Sequence, residues 1–210
     1  MIDGTSQANL LISVLAGTLT ALFSIVVTFH FYTKRDTIRS IRALQAEVEE
    51  NENFAQNLEK YLKDDLEFAK SNQERTDSPG KFYTSAFDST LNSGVLMNIS
   101  PESRTDILNH YQTVEQMNSQ LEYRSRLRAG PARSMSGYKA KRVGLNKLVM
   151  GLLQTTVSSE FRDEAAELSN EQSMSTVENA LSPHTAITFA EISETLESEL
   201  DAYPVLRHIV

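Results

Sequence analysis

The chain has 210 residues, of which 40% are hydrophobic, with no Cys, eight Gly, five Pro and a formal net charge of −8. A chain without Cys has no disulfides, thiolate metal sites or thiol nucleophiles, and it fits a reducing compartment. So few Gly and Pro argue against a turn-rich barrel or sandwich and for helices.

Residues 1–7 (MIDGTSQ) carry Asp3 and no Lys or Arg. From Ala8 to Tyr32 the chain then reads ANLLISVLAGTLTALFSIVVTFHFY, 25 residues without Lys, Arg, Asp or Glu. As a helix this stretch is roughly 37 Å long, more than the roughly 30 Å hydrocarbon core of a bilayer requires. It lacks the basic leader and small-residue cleavage site of a secretory signal. The length therefore predicts a transmembrane helix rather than the buried core helix of a soluble protein. Lys34, Arg35, Arg39 and Arg42 follow, opposed only by Asp36. This basic flank belongs in the cytoplasm, which puts the N-terminus outside. His30, Phe31 and Tyr32 stand where an interfacial aromatic belt falls.

Within the apolar stretch Ser13, Gly17 and Ala21 form a row at four-residue spacing, beside a second row of Ala16, Thr20, Ser24 and Thr28. Such rows let two helix backbones approach closely, which points to a homo-oligomer. Ordinary small-residue content of a membrane helix explains them equally well.

Residues 34–70 read as a long helix leaving the membrane. Ile41, Leu44, Val48, Asn51, Ala55, Leu58 and Leu62 follow one another in steps of three and four, a heptad seam with one polar member. Phe54 and Tyr61 widen the stripe, which favours an intramolecular bundle over a two-stranded coiled coil. Glu47, Glu49, Glu50 and Glu52 read as a solvated face. Residues 71–81 (SNQERTDSPGK) form a loop. A short helix over Tyr83–Leu91 is expected to turn Phe82, Ala86, Phe87 and Leu91 to one side, and Asn92-Ser93-Gly94 to stop it. Val95, Leu96, Met97 and Ile99 make an apolar connector tucked into the core. Ser100-Pro101-Glu102 opens the next helix, with Ser as cap and Pro in the first turn. That helix should reach Leu127 and bury Ile107, Leu108, Tyr111, Val114, Asn118 and Leu121.

The order of these parts, an anchor, then ALQAEVEENENFAQNLEKYL, then FYTSAFDSTLNSGVLMNISPESRTDILNHYQTVEQMNSQLEYR, resembles small, uncharacterised, N-terminally membrane-anchored helical proteins of archaea and bacteria. The likeness spans residues 8–128. It implies an anchored helical domain without an assigned activity, and it implies that Asn51 and Asn118 make buried polar contacts between helices.

Residues 128–138 (RAGPARSMSGY) read as a loop in which Ser136 caps a helix starting near Lys139. That helix carries Val143, Leu145, Leu148, Val149, Leu152, Leu153, Val157 and Phe161 to about Leu168. Its run LVMGLL is too short to span a bilayer. Residues 169–181 are polar. Ser182-Pro183 reads as the start of a last helix ending near Tyr203, with Ile187, Phe189, Ala190, Ile192, Leu196 and Leu200 for packing. Pro204 ends it.

Charge is segregated along the chain. Residues 43–122 carry six basic and fifteen acidic groups, and residues 160–210 two and eleven. Between them, residues 123–159 carry eight basic groups and no acidic one: Arg124, Arg126, Arg128, Arg133, Lys139, Lys141, Arg142 and Lys147. Charge balance inside the bundle is the first explanation, contact with an anionic membrane surface the second. Nucleic acid comes third, because only Tyr123 and Tyr138 interleave.

No catalytic, cofactor or metal residue is assigned. The sequence holds no HExxH, no phosphate-binding glycine loop and no Gly-x-Ser-x-Gly. Asp106 and His110 stand four apart, and an exposed hydrogen-bonded pair explains them better than a metal does. The sequon Asn98-Ile99-Ser100 is followed by Pro101 and lies on the cytoplasmic side. The expectation is an all-α chain. It has a tail and transmembrane helix over 1–33, a cytoplasmic bundle of about four to five helices over 34–203, and a tail over 204–210. Its expected function is a membrane-anchored, non-enzymatic interaction or scaffold module. The expected partners are the lipid bilayer, a second copy and an unidentified protein. The alternative is a tethered sensor or effector that takes anionic lipid, a phosphate ligand or nucleic acid on segment 124–147. An enzyme ranks third.

Overall fold

A single helix, α1, runs unbroken from Gly4 to Phe68, 65 residues, or about 97 Å. The computed structural model describes residues 4–68, 78–127, 135–157, 187–204 and 206. Among these it has four further helices: α2 (Ser85–Asn92), α3 (Pro101–Arg126), α4 (Met135–Val157) and α5 (Phe189–Asp201). A 3-10 turn, Val95–Asn98, links α2 to α3. The all-helical expectation holds for the described residues.

The two halves of α1 differ in surroundings. From Ile12 to Tyr32 every residue is exposed. Beyond Thr33 the heptad seam is buried in full: Ile41, Leu44, Val48, Asn51, Ala55, Leu58 and Leu62 are each at most 1% exposed. Phe54 and Tyr61 pack against the same core, as the wide stripe predicts. The partners of this seam are α2, the 3-10 turn, α4 and α5 of the same chain.

Side-chain contacts fix the direction of each partner. Ser100, at the start of α3, meets Glu199 near the end of α5, and Asn98 meets Thr37 of α1. Arg124, near the end of α3, meets Asp65 at the far end of α1. So α3 runs parallel to α1 and α5 antiparallel to it. Arg142 of α4 also bonds Asp65, so the start of α4 sits at that far end.

Local chemistry sets the ends. Ser100 caps α3 by accepting from Ser103 N–H, with Pro101 in the first turn, as expected. Gly94 turns the chain after α2 with φ 73°, a conformation that glycine adopts without a Cβ penalty. The last described helix starts later than the Ser-Pro reading places it. Residues 187–188 are outside the helix, and Thr188 caps α5 through a reciprocal capping box with Glu191. The signature T-x-x-E of Thr188-Phe189-Ala190-Glu191 was legible; the proline signal upstream outranked it. Similarly, α4 already begins at Met135, so Ser136 lies inside the helix rather than capping it. Residues 71–77, the helix end near Leu168, residues 169–181 and Ser182-Pro183 lie outside the described residues.

Several apolar positions face away from the core. Leu91, Met97, Leu108 and Leu148 are exposed, and so is Ala190. Polar groups take places that a hydrophobic count leaves empty: Glu47, Asp65, His110, Arg124, Arg142 and Asn146 are buried. Asn51 is buried and Asn118 half-buried, and both make polar contacts, but not to a helix. Both bond the extended backbone at Phe82 and Tyr83.

Candidate functional site

Three arrangements stand out: the bare apolar half of α1, and two polar clusters inside the bundle. The apolar half is the only described helix long and apolar enough to cross a membrane, and none of its most apolar 18-residue stretch is buried. Two of its threonines, and Thr33 just beyond it, bond back to the helix. Thr18 donates to the Val14 carbonyl at 2.8 Å, Thr20 to Ala16 at 2.9 Å and Thr33 to Phe29 at 2.9 Å. In hydrocarbon an unbonded hydroxyl costs several kcal/mol, so this back-bonding lets threonine sit in a span. Ser13, Gly17 and Ala21 all lie exposed on this half, and a Cβ added at Gly17 meets nothing within 4 Å.

The basic flank stands at the junction. Lys34 and Arg35 are half-buried, Arg39 and Arg42 exposed. The Lys34 ammonium lies 5.8 Å from the centre of the Tyr203 ring, which joins the flank to the end of α5.

At the far end of the bundle Asp65 gathers three donors. Arg124 Nη2 donates to it at 2.7 Å, Asn146 Nδ2 at 2.6 Å, and Arg142 binds side-on through Nε at 2.9 Å and Nη2 at 2.7 Å. Arg124 Nε also donates to Asn146 Oδ1 at 2.8 Å, and Arg142 to the Tyr138 hydroxyl. Burial alone would raise the Asp65 carboxyl. The bonds from Arg142, Asn146 and Arg124 outweigh it and hold the pKa at about 2.

The basic segment is thereby divided. Arg124 and Arg142 are turned inward and ion-paired, so they balance charge within the bundle rather than face a surface. Arg126 pairs with Glu122 on the helix surface, and Glu122 also takes Lys81 at 2.9 Å. Lys81, then Arg126, hold the Glu122 carboxyl below its usual range. Lys141 is exposed and donates to the Tyr123 hydroxyl at 3.1 Å. Lys139 is half-buried and Lys147 exposed. Arg128 and Arg133 lie outside the described residues.

The second cluster centres on Glu47, which the acidic run had placed in solvent; it is 5% exposed. Its carboxylate accepts from Ala86 N–H at 2.7 Å, Phe87 N–H at 3.2 Å and the Ser85 hydroxyl at 3.1 Å. These are first-turn groups of α2, so a side chain from α1 caps a helix nearly forty residues away. The Tyr111 hydroxyl donates to the same carboxylate at 2.8 Å, and its ring stacks on Phe87 at 4.2 Å. Burial, then the Glu47 charge, push the Tyr111 phenol well above its ordinary range. The phenol is a fixed donor.

His110 is fully buried rather than exposed, and Asp106 is not its partner. Its Nδ1 lies 3.0 Å from the Ile187 carbonyl and so carries the proton, while Nε2 has no hydrogen-bond partner. Burial lowers its pKa to about 4 against that bond. Asp106 faces the Thr195 hydroxyl at 3.5 Å. Among the described residues no group of three or more His, Asp or Glu is placed to hold a metal ion. Sequence reasoning missed Asp65, Asn146 and Glu47. A signal existed for Asp65, the next step of the heptad seam after Leu62. No family model, curated protein or solved structure matches the chain.

Proposed function

We propose that the protein is a membrane-anchored, non-enzymatic interaction module. In this reading the apolar half of α1 crosses the bilayer with its N-terminus outside. The bundle then stands on the cytoplasmic face as a rigid head. One observation carries the reading: a bare apolar helix passes without a break into the buried seam of the bundle. A soluble protein leaving Ile12–Tyr32 uncovered would expose far more contiguous apolar surface than monomers tolerate. The basic residues Lys34, Arg35, Arg39 and Arg42 support the orientation. The inward pairing of Arg124 and Arg142 leaves the alternative, an anionic ligand on segment 124–147, with fewer outward cations.

The test uses the full chain in cell membranes. Alkaline washing is expected to leave it in the membrane fraction, and its release into the supernatant would overturn the anchor. The chain has no Cys, so a single cysteine replacing exposed Asn57 reports its side unambiguously. An impermeant thiol reagent added to intact cells should not reach it, and labelling from outside would reverse the topology. Affinity capture of a partner that depends on the bundle, with no turnover of any bound small molecule, is the outcome expected for an interaction module.

A further inference from the structure

The end of the bundle nearest the apolar half of α1 carries features that core packing does not explain. The 3-10 turn Val95–Asn98 buries Val95 and Leu96 yet leaves Met97 73% exposed. Leu91, at the end of α2, is 48% exposed, and the Gly94 N–H ties back to its carbonyl at 3.2 Å. The two apolar side chains thus belong to one small loop.

The position of that loop is fixed by Asn98, whose Nδ2 donates to Thr37 Oγ1 at 3.3 Å. Thr37 lies five residues past Tyr32, the last residue of the apolar stretch. Five helical residues span about 7 Å. The polar layer on each side of the hydrocarbon core is roughly 5–8 Å thick. A loop at Thr37 is therefore level with lipid headgroups when the apolar stretch fills the core.

Arg104 stands beside it. Its Nη1 lies 3.4 Å from the Met97 sulfur and its Nη2 donates to the Ile99 carbonyl at 3.3 Å. Its Nε is buried without a partner, so its outward donors are the remaining Nη hydrogens, and among the described residues no carboxylate pairs with them. A thioether is a weak acceptor, which leaves this guanidinium donors suited to phosphate. Tyr203, held by Lys34, marks the same level from the side of α5. Asp36 and Glu102 are also exposed near this end. The apolar side chains, rather than net positive charge, are then what favours contact with lipid.

We propose that the Leu91–Asn98 loop is a second membrane contact, with Met97 and Leu91 seated in the headgroup layer and Arg104 facing lipid phosphate. It rests on the reading of α1 as a span. The head then touches the bilayer at two points, the emerging helix and this loop. Its height and tilt above the membrane are fixed.

Single cysteines again test it, each in the full-length chain reconstituted in vesicles of phosphatidylcholine and phosphatidylglycerol. Phe23→Cys, Met97→Cys and Asn57→Cys replace exposed side chains and carry the same environment-sensitive fluorophore. Lipids brominated near the glycerol should quench the Met97→Cys label strongly, and lipids brominated near the chain end should quench it less. The Phe23→Cys label should show the reverse order, and Asn57→Cys no quenching. If Met97→Cys behaves like Asn57→Cys while Phe23→Cys is quenched, the second contact is wrong and the anchor stands. If Phe23→Cys is not quenched either, the anchor fails and this inference with it.

Discussion

Asn51 of α1 and Asn118 of α3 grip neighbouring residues of one extended segment from opposite sides. Asn51 accepts from Tyr83 N–H at 2.7 Å and donates to the Tyr83 carbonyl at 2.9 Å. Asn118 does the same to Phe82, at 2.8 and 3.0 Å. Four backbone groups of a segment outside any helix are thereby satisfied by two side-chain amides. The segment serves as a spacer between α1 and α3, and it holds the Phe82 ring edge-on to Phe54 at 4.8 Å.

The clamp sets the first prediction. Asn51→Ala leaves one N–H and one carbonyl without partners and should lower stability by about 2–4 kcal/mol. Asn118→Ala should cost somewhat less, because Asn118 is only half-buried. The double variant should lose less than the sum, since both act on one segment. Denaturant unfolding of the three variants in detergent reads this directly, and strict additivity would show that the two amides act independently.

Removing the acid of the far cluster should be worse than removing the cluster. Asp65→Leu leaves two buried guanidiniums without their carboxylate, at a cost of about 3–5 kcal/mol. Joining Arg124→Met and Arg142→Met to it should restore most of that loss. Melting temperatures of the single and triple variants decide the matter. A triple variant less stable than Asp65→Leu would show that the guanidiniums have stabilising partners beyond Asp65.

Acid should loosen the bundle through His110. In the folded state burial lowers its pKa to about 4, against an ordinary value of 6.5. Between these values the unfolded chain binds a proton that the folded chain refuses. Stability is therefore unaffected by His110 above pH 6.5. It falls as pH drops from 6.5 to about 4, by up to about 1.4 kcal/mol per pH unit. Asp65, held at about 2, adds its own loss only as pH falls from 3.8 toward 2. Stability measured from pH 8 to pH 4 should slope in the native chain. The slope should flatten in His110→Gln, and a slope unchanged in that variant would assign it to another group.

Tyr111→Phe tests the Glu47 cap without disturbing the ring stack on Phe87. It removes one charge-assisted bond and should cost about 1.5–3 kcal/mol. Glu47→Ala strips the acceptor from Tyr111 and from the first turn of α2 together, and should cost more. Hydrogen exchange at Ala86 and Phe87 should accelerate in Glu47→Ala and change little in Tyr111→Phe.

The row of small residues in the apolar half makes a separate prediction. A Cβ at Gly17 meets nothing within 4 Å and its neighbours are exposed, so with Gly17→Ile the bundle should melt as before. If helices pair through Ser13, Gly17 and Ala21, crosslinked dimers in membranes should fall severalfold. An unchanged dimer yield, or no dimer at the outset, would leave the row as ordinary membrane-helix composition.

How far the fold could be read depended on which side chains fill the core. Apolar steps identified the seam from Ile41 to Leu62, and capping chemistry placed the start of α3 at Pro101. Both signals are local. The buried faces of α1, α3 and α4 continue, however, through polar residues whose burial depends on a distant partner. The seam's next step is Asp65, α3 continues from Leu121 to Arg124, and α4 passes through Tyr138, Arg142 and Asn146 before Val149. A hydrophobic pattern ends where such a residue begins, because one strand of sequence cannot show that a carboxylate on α1 will meet guanidiniums on α3 and α4. Glu47 was misplaced for the same reason, since its neighbours Glu49, Glu50 and Glu52 are indeed exposed. Hydrophobicity alone does not separate Leu91 and Met97 from the buried Val95 and Leu96, and it is their exposure that gives them another use.

The uninterrupted backbone of α1 makes it a drive shaft. With no loop or proline between Tyr32 and Ile38 to absorb torsion, a rotation of the apolar half is a rotation of the head through the same angle. One inserted residue at Thr33 would advance the apolar half by about 1.5 Å and swing it by about 100° relative to the bundle. The Ser13–Ala21 row and the Leu91–Asn98 loop would then point to different sectors around the helix axis. Were two copies to meet through the Ser13–Ala21 row, they would present their heads at one fixed angle, and a single-residue insertion is enough to break that alignment while leaving every contact inside each head intact.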